Sequence, residues 1–346
     1  MKAITREEKI MSGENLTPIT RKEMFLAKAS GQNIQTPTPI TREEYFLSKI
    51  TGGGGSGASG VLVCNDISPD KDKVFNEIKE ISCPNATSIG NNAFASCTAL
   101  TSINSPNATS IGGSAFGSCT ALTSINLPNA TSIGNYAFGN CRALTSINLP
   151  NATSIGGSAF ASCTALTSIN LPNATSIGHN AFGNCAALTS INLPNATSID
   201  NNAFVDCRAL TSINLPNATS IGESAFASCR ALTSINLPNA TSIGSDAFGY
   251  CGSLSTIILR NIETMCNVDL TAIIGTNIAT VEGIPTGAGF IYVPTSLYED
   301  YVANFTEQAT YLLMETGLPQ EEAVVMAEQI SRAILRKIED YPEICG

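Results

Sequence analysis

Between residues 84 and 259 the apolar positions return every 22 residues. The prolines from Pro84 to Pro238 keep that spacing, as do the cysteines from Cys97 to Cys251 and the phenylalanines from Phe94 to Phe248. One unit, Leu122 to Ala143, reads LTSINLPNATSIGNYAFGNCRA. Self-similarity at a fixed period of this length marks stacked supersecondary units rather than a globule. Within the unit, L-T-S-I-N-L predicts a short strand with Ile125 and Leu127 turned inward and Ser124 and Asn126 on an open polar face. Ile133, Phe138 and Cys141 close the coil from its other sides. Gly134 marks a turn, where a residue without Cβ tolerates any conformation. Nine or so coils at about 4.8 Å make a stack on the order of 40–45 Å long. Each coil buries its apolar set only against its neighbours, so both ends need caps.

The caps are legible as decayed units. Ile78, Ile81 and Cys83 stand where Leu122, Ile125 and Leu127 stand, Phe75 replaces the Cys, and VLVCNDI (61–67) is available to cover the open edge. At the other end Leu254, Ile257 and Leu259 keep the pattern, while Arg260 replaces the Pro and Met265 the second Ile. The segment L-T-S-I-N-L-P-N fits the leucine-rich pattern L-x-x-L-x-L-x-x-N. With their AF-x-x-C-x-x-L-T-S-I-x-L-P core the units resemble the BspA-like family of leucine-rich repeats. The exit segment TIILRNIETMCNVDLTAI…GAGFIYVPTSLYEDYV resembles the ending of BspA-like proteins encoded by phages and prophages of gut bacteria, and the ITREE-YFLSKI units resemble segments found ahead of such domains. Together these cover roughly residues 1–303. The resemblance implies an α+β repeat fold, a leucine-rich-repeat β-solenoid, and a role in surface recognition on a bacterium or a virion. A shared scaffold is weak evidence for a particular function.

Three cognate segments precede the repeats: ITREEKIMSG (4–13), ITRKEMFLAKASG (19–31) and ITREEYFLSKITGG (40–53). Each opens on a Thr-x-x-Glu capping box (Thr5/Glu8, Thr20/Glu23, Thr41/Glu44) and closes at Gly, which predicts three short amphipathic helices in 1–51. Helices this short are marginal alone and need a surface to dock on. Two readings fit: they fold back on the solenoid, or they anchor the chain to a virion capsid, neck or baseplate subunit, with Phe25, Leu26, Tyr45, Phe46 and Leu47 as the gripping side chains. GGGGSGASG (52–60) is a flexible tether. The division expected is anchor 1–51, linker 52–60, N-terminal cap 61–83, repeats 84–259, C-terminal cap 260–303 and a helical extension 304–346. That extension reads as two helices broken at Gly317, with Pro319 at the first position of the second and Ala323, Ala327, Ile330, Ile334 and Ile338 as its apolar stripe. A hairpin packed on the solenoid end and a self-association helix are both open readings.

Charge changes the picture in two ways. The net charge is −10, which disfavours nucleic acid, a ligand that needs a basic surface, and residues 260–346 alone carry −9. No 18-residue apolar run exists and the first thirty residues lack the apolar core of a secretory signal, so neither a membrane span nor a Sec leader is expected. Eight of the 12 Cys occupy one coil position with no C-x-x-C pair and no His partner, which reads as buried core rather than metal site. Cys64, Cys83, Cys266 and Cys345 are less constrained, and Cys345 is the best candidate for an exposed thiol. The single His, His179, has no carboxylate placed to orient it as a catalytic base. The Asn-Ala-Thr sequons read as a buried Asn ladder bonding backbone at the turn. No cofactor or metal is expected, and no enzyme.

Comparing the units with one another separates constant core and turn positions from variable ones. The differences fall at Asn135/Tyr136, His179/Asn180, Asp200, Asp206, Glu223, Asp246/Tyr250 and, after the Cys, at Arg142, Arg208 and Arg230. They should share one side of the stack, either as drift on a solvent face or as a ridge contacting a partner, with Tyr136, Tyr250, Arg208 and Arg230 the most contact-prone. The constant strand face, Ser124 and Asn126 with their equivalents, is a second candidate, suited to glycans. The expectation is a phage fibre or decoration protein located on the virion, binding protein or surface glycan in several copies, as a homo-oligomer, so that weak sites add by avidity. A bacterial cell-surface adhesin is the alternative.

Overall fold

The computed structural model describes residues 61–63, 79–279 and 285–345. The 1–51 segments with their five anchor candidates, the 52–60 tether, Phe75, Ile78 and the Cys345 side chain lie outside the described residues.

A parallel pair of strands needs a connection of a dozen or more residues, and each 22-residue unit supplies one by completing a coil. Residue n pairs with residue n+22, as in Ser102 with Ser124, Ile103 with Ile125 and Asn104 with Asn126. Nine strands of three or four residues, from Glu80–Ser82 to Thr256–Leu259, form one side of the β-solenoid. Two-residue strands from Ser88–Ile89 to Asn267–Val268 form a second side as one nine-stranded parallel sheet. Because the register repeats, every side chain stacks on its own kind. Phe94 to Phe248 make a column of rings with centroids 5.2–5.6 Å apart and planes within 15° of parallel. Beside it runs the thiol column, each Sγ from Cys119 to Cys251 donating to a Phe carbonyl of the preceding coil, for example Cys141 to Phe116 at 3.2 Å and Cys251 to Phe226 at 3.0 Å.

The third side is a run of turns with two left-handed residues per coil, at the positions of Tyr136 (φ 56°) and Asn140 (φ 62°). All sixteen are non-glycine: Asn, Asp, Ser or Tyr. Asn and Asp tolerate this region best, and cross-coil bonds from these residues' own N–H groups, such as Tyr136 to Gly157 O (2.9 Å) and Asn140 to Ala161 O (2.8 Å), hold the conformation. The dihedral role expected of Gly134 is therefore a correction. A Cβ on Gly134 would lie 2.7 Å from Gly112 C and Gly113 N of the preceding coil, so glycine here eases the close approach of two backbones, an approach that the coil carrying Asp200 at the equivalent position makes with a side chain in place.

Both ends differ from the regular coil. Val61–Val63 adds a parallel strand to Glu80–Ser82, covering that edge as expected of VLVCNDI. At the exit, Val268 and not Met265 pairs with Ile243, because the coil is three residues longer. Strand Phe290–Val293 extends the first row. Helix α1 (Tyr298–Glu315) and helix α2 (Gln320–Ile334) then form a hairpin, turning at Gly317 with φ +93°. Pro319 sits just outside α2, at its N-cap. The apolar stripe predicted helix through Ile338, but α2 stops at Ile334. Leu335–Lys337 turns extended and joins the sheet beside Phe290–Val293, where an open edge offers backbone partners that outweigh helix propensity.

Candidate recognition surfaces

Three faces of the solenoid are exposed and regular. On the first, the strand face, Ser124 and Asn126 are exposed as expected, with Leu127 buried and Ile125 half-buried between them. Its Asn side chains bond in alternate pairs, Asn126 Nδ2 to Asn104 Oδ1 (2.7 Å), Asn170 to Asn148 (2.9 Å) and Asn214 to Asn192 (2.9 Å).

The second face is an open trough of about 1180 Å³ along the Asn-Ala-Thr segments, lined from Asn107 and Thr109 to Thr241 and Asn261. Here the sequence reading needs correction: the Asn side chains are exposed, and it is the intervening Ala that is buried. Expected backbone bonding is present. Asn129 Nδ2 donates to Pro106 O at 2.8 Å and Asn173 Nδ2 to Pro150 O at 2.7 Å, each reaching the preceding coil. Thr hydroxyls do the same, Thr131 to Thr109 O at 3.0 Å and Thr175 to Thr153 O at 3.1 Å. Asn-Ala-Thr with a small core residue between two polar ones is itself a period-two pattern, and that signal was sufficient to place Asn and Thr together on the outside.

The third face is the turn side. It carries the variable positions that the sequence comparison singled out, spread along many coils; a further difference, Ser105 in place of Leu, is buried in the core. Tyr136 and Tyr250 are each 57% exposed, and Arg142, His179, Arg208 and Arg230 are exposed. Arg208, Arg230 and Tyr250 stand on three successive coils; Tyr136 and Arg142 share an earlier coil, and His179 lies between. Arg208 is engaged by Asp206 at 3.1 Å, whereas Arg142 and Arg230 make no ion pair among the described residues. Asp246 lies near Asp269 and Glu223, and burial together with those two carboxylates raises its pKa above the ordinary value.

Among the described residues no three His, Cys, Asp or Glu side chains converge on a metal position, and no helix is long and apolar enough to cross a membrane. The ladder thiols are buried, and burial pushes Cys141 and Cys207 up to about 12 and Cys163, Cys185 and Cys229 well above the ordinary value. Such thiols are inert as nucleophiles. Cys83 differs from them in being disulfide-bonded.

Fold and faces together define a leucine-rich-repeat scaffold built from stacked coils. The profile described as BspA type leucine rich repeat region matches in six copies at residues 72–186 and 153–270, more than half of the chain, and the chain belongs to that family. Similar solved structures include a leucine-rich repeat protein from Bacteroides ovatus ATCC 8483, 24% identical over 68% of each chain with a TM-score of 0.46. A leucine rich cell surface protein from Faecalibacterium prausnitzii A2-165 is 24% identical over 58% of this chain and 82% of its own, with a TM-score of 0.32. The leucine rich repeat protein of T. pallidum is 26% identical over 43% of this chain and 68% of its own, with a TM-score of 0.35. No curated protein matches the chain.

Proposed function

We propose that this protein is a non-enzymatic recognition scaffold that works outside the cell and contacts a protein partner through its turn side. The observation that carries the reading is a segregation: most positions constant among the units are core or ladder, and most that vary lie exposed or half-buried on the turn side, with aromatic and unpaired Arg side chains among them. Tyr and Arg are the residue types that dominate binding energy at interfaces. Full-length protein labelled for flow cytometry on bacterial cells tests it. The variant Tyr136→Ala/Arg142→Ala/Arg230→Ala/Tyr250→Ala is expected to bind at least tenfold more weakly with an unchanged circular dichroism melt; undiminished binding refutes the turn side as the contact.

Placement on a phage particle is the finer reading. It rests on the resemblance of the entry and exit segments to prophage-encoded relatives and on the capping boxes of 1–51, an anchor for a capsid, neck or baseplate subunit. Deleting 1–51 is expected to abolish incorporation into particles while the solenoid still folds. The disulfide at Cys83 favours a second reading, a bacterial cell-surface adhesin, because such bonds persist in oxidising surroundings. Immunodetection in purified particles against the cell-wall fraction separates the two.

A further inference from the structure

We propose that the trough between the Asn and Thr rows binds a neutral, extended polysaccharide laid along the solenoid with one sugar per coil. The proposal rests on the surface-recognition reading and adds to the turn side a second site with its own ligand class.

Charge comes first. Every lining residue from Asn107 to Asn261 is Asn or Thr, so the trough offers neither cations to a polyanion nor carboxylates to a polycation. The atoms left over decide what kind of neutral ligand fits. Along the rows each Asn from Asn107 to Asn239 spends one Nδ2–H on a Pro carbonyl, and each Thr spends its hydroxyl proton on a Thr carbonyl, as Asn151 and Thr153 do on Pro128 and Thr131; Asn261 at the end instead accepts from Glu263 N and Thr264 N. Per coil this leaves an Asn Oδ1, one Nδ2–H and the lone pairs of a Thr Oγ1. Such a surface is rich in acceptors and takes a ligand rich in donors. A polyhydroxylated chain supplies O–H groups at every unit; a carboxylated or sulfated one presents further acceptors and is repelled.

Preorganisation adds to the affinity available. The ladder bonds already hold both rows in fixed rotamers, so the cost of about 0.5–1.5 kcal/mol per side chain immobilised on binding is met in folding. The period then selects among neutral polymers. Equivalent groups recur at the coil step, about 4.8 Å along the parallel strand rows that flank the trough. An extended peptide repeats its same-face side chains about every 6.6–6.8 Å and slips by about 1 Å or more per coil, losing register within a few coils. An extended β-linked glycan advances one sugar over about one coil step, and because successive sugars are turned over, like hydroxyls meet like atoms on every second coil.

Calorimetric titration of the full chain with cello-oligosaccharides of increasing length tests this, together with gel retardation in hydroxyethyl cellulose, xylan and the polyanion alginate. Affinity is expected to rise at least tenfold from the disaccharide to the hexasaccharide, with retardation by a neutral polymer and none by alginate. The variant Thr153→Val/Thr175→Val/Thr197→Val, which removes three central acceptors at nearly constant shape, is expected to lose at least tenfold, while Tyr136→Ala/Tyr250→Ala keeps wild-type glycan affinity. Lack of binding to every neutral polymer, affinity independent of length, or loss in the tyrosine variant but not the threonine one overturns the proposal. Should the threonine variant fail to fold, the length dependence of the wild type decides. Failure here combined with cell binding that depends on the turn-side residues refutes the trough and leaves surface recognition standing.

Discussion

Gly134 illustrates how a repeat turns a single residue into a lattice contact. Its Cβ-less carbon lies against the backbone of the coil below, and Gly112 and Gly156 repeat the approach, with an added Cβ meeting backbone nitrogen at 2.5 and 2.7 Å. These neighbours are main chain and cannot rotate away, so a side chain fits only where the two coils shift apart, as at Asp200, which stands at the equivalent position. Gly134→Ala is therefore expected to lower stability by about 1–3 kcal/mol, the usual range for overpacking, as read from urea midpoints; a midpoint that does not move would show that the coils can separate freely. The thiol column makes a second residue-scale prediction. Burial raises Cys141 and Cys207 in the column, and Cys266 beyond its end, from near 9.0 in the unfolded chain to about 12 in the native one. A raised native pKa means that the thiols contribute their full share below about pH 9 and lose it progressively as pH climbs from about 9 towards 12. Stability should be insensitive to these groups at neutral pH and fall steeply in that alkaline window, and the column should react with a thiol reagent at pH 8 only after denaturant is added. Rapid labelling of the native chain at several sites would contradict the buried assignment.

At the scale of elements the hairpin α1–α2 is the cap that closes the solenoid's exit. Tyr301 is buried and its hydroxyl accepts from Cys266 N at 2.8 Å, while Gln308 accepts from Leu270 N at 2.7 Å and donates to Val268 O at 2.8 Å. These side chains satisfy backbone groups that a further coil would otherwise have paired. Tyr301→Phe removes only the hydroxyl and strands a buried N–H, at an expected cost of about 1–3 kcal/mol; hydrogen exchange should show the loss concentrated around 266–274, and a uniform change along the stack would argue against a local cap. The repeating elements were fully legible in the sequence, because one pattern written eight times leaves strand, core column and turn no alternative register. What escaped was decided by tertiary partners. Nothing in I-L-R-K-I announces a strand at Leu335–Lys337; the open edge of Phe290–Val293 creates it, and Arg336 lying 3.8 Å over the Phe290 ring helps to seat it. The shift from Met265 to Val268 likewise follows from a loop length that periodicity does not encode. On the candidate surfaces the variable turn residues were legible by comparing units. The trough was missed because Asn in a leucine-rich pattern was read as buried, against its alternation with Ala.

Across the whole molecule the consequence of a strict n to n+22 register is that coils are interchangeable, so length is a free variable and phase is not. Residues 151–172 contain no charged side chain, and their removal joins Pro150 to Asn173 and restores the Pro-Asn-Ala-Thr sequence at the junction. Strand rows, ring column, thiol column and Asn/Thr rows all stay in step across it, and each remaining coil keeps two neighbours. In a solenoid whose stability is close to a sum of coil and nearest-neighbour terms, this deletion is expected to give a folded, soluble protein. Its urea m-value should fall by roughly one twelfth, in proportion to the 22 residues lost from the 265 of 61–63, 79–279 and 285–345. Removing half as much, residues 151–161, joins Pro150 to Ser162 and puts inward positions opposite outward ones, so the shorter deletion should be the more damaging. Because neither deletion alters net charge, the −9 held by residues 260–346 is constant in both and electrostatics cannot account for the difference. Circular dichroism and urea unfolding of the two variants decide it. If the full-coil deletion unfolds while the half-coil deletion survives, the stack is not held by register, and the assignment of matching rows to its faces, the trough included, falls with it.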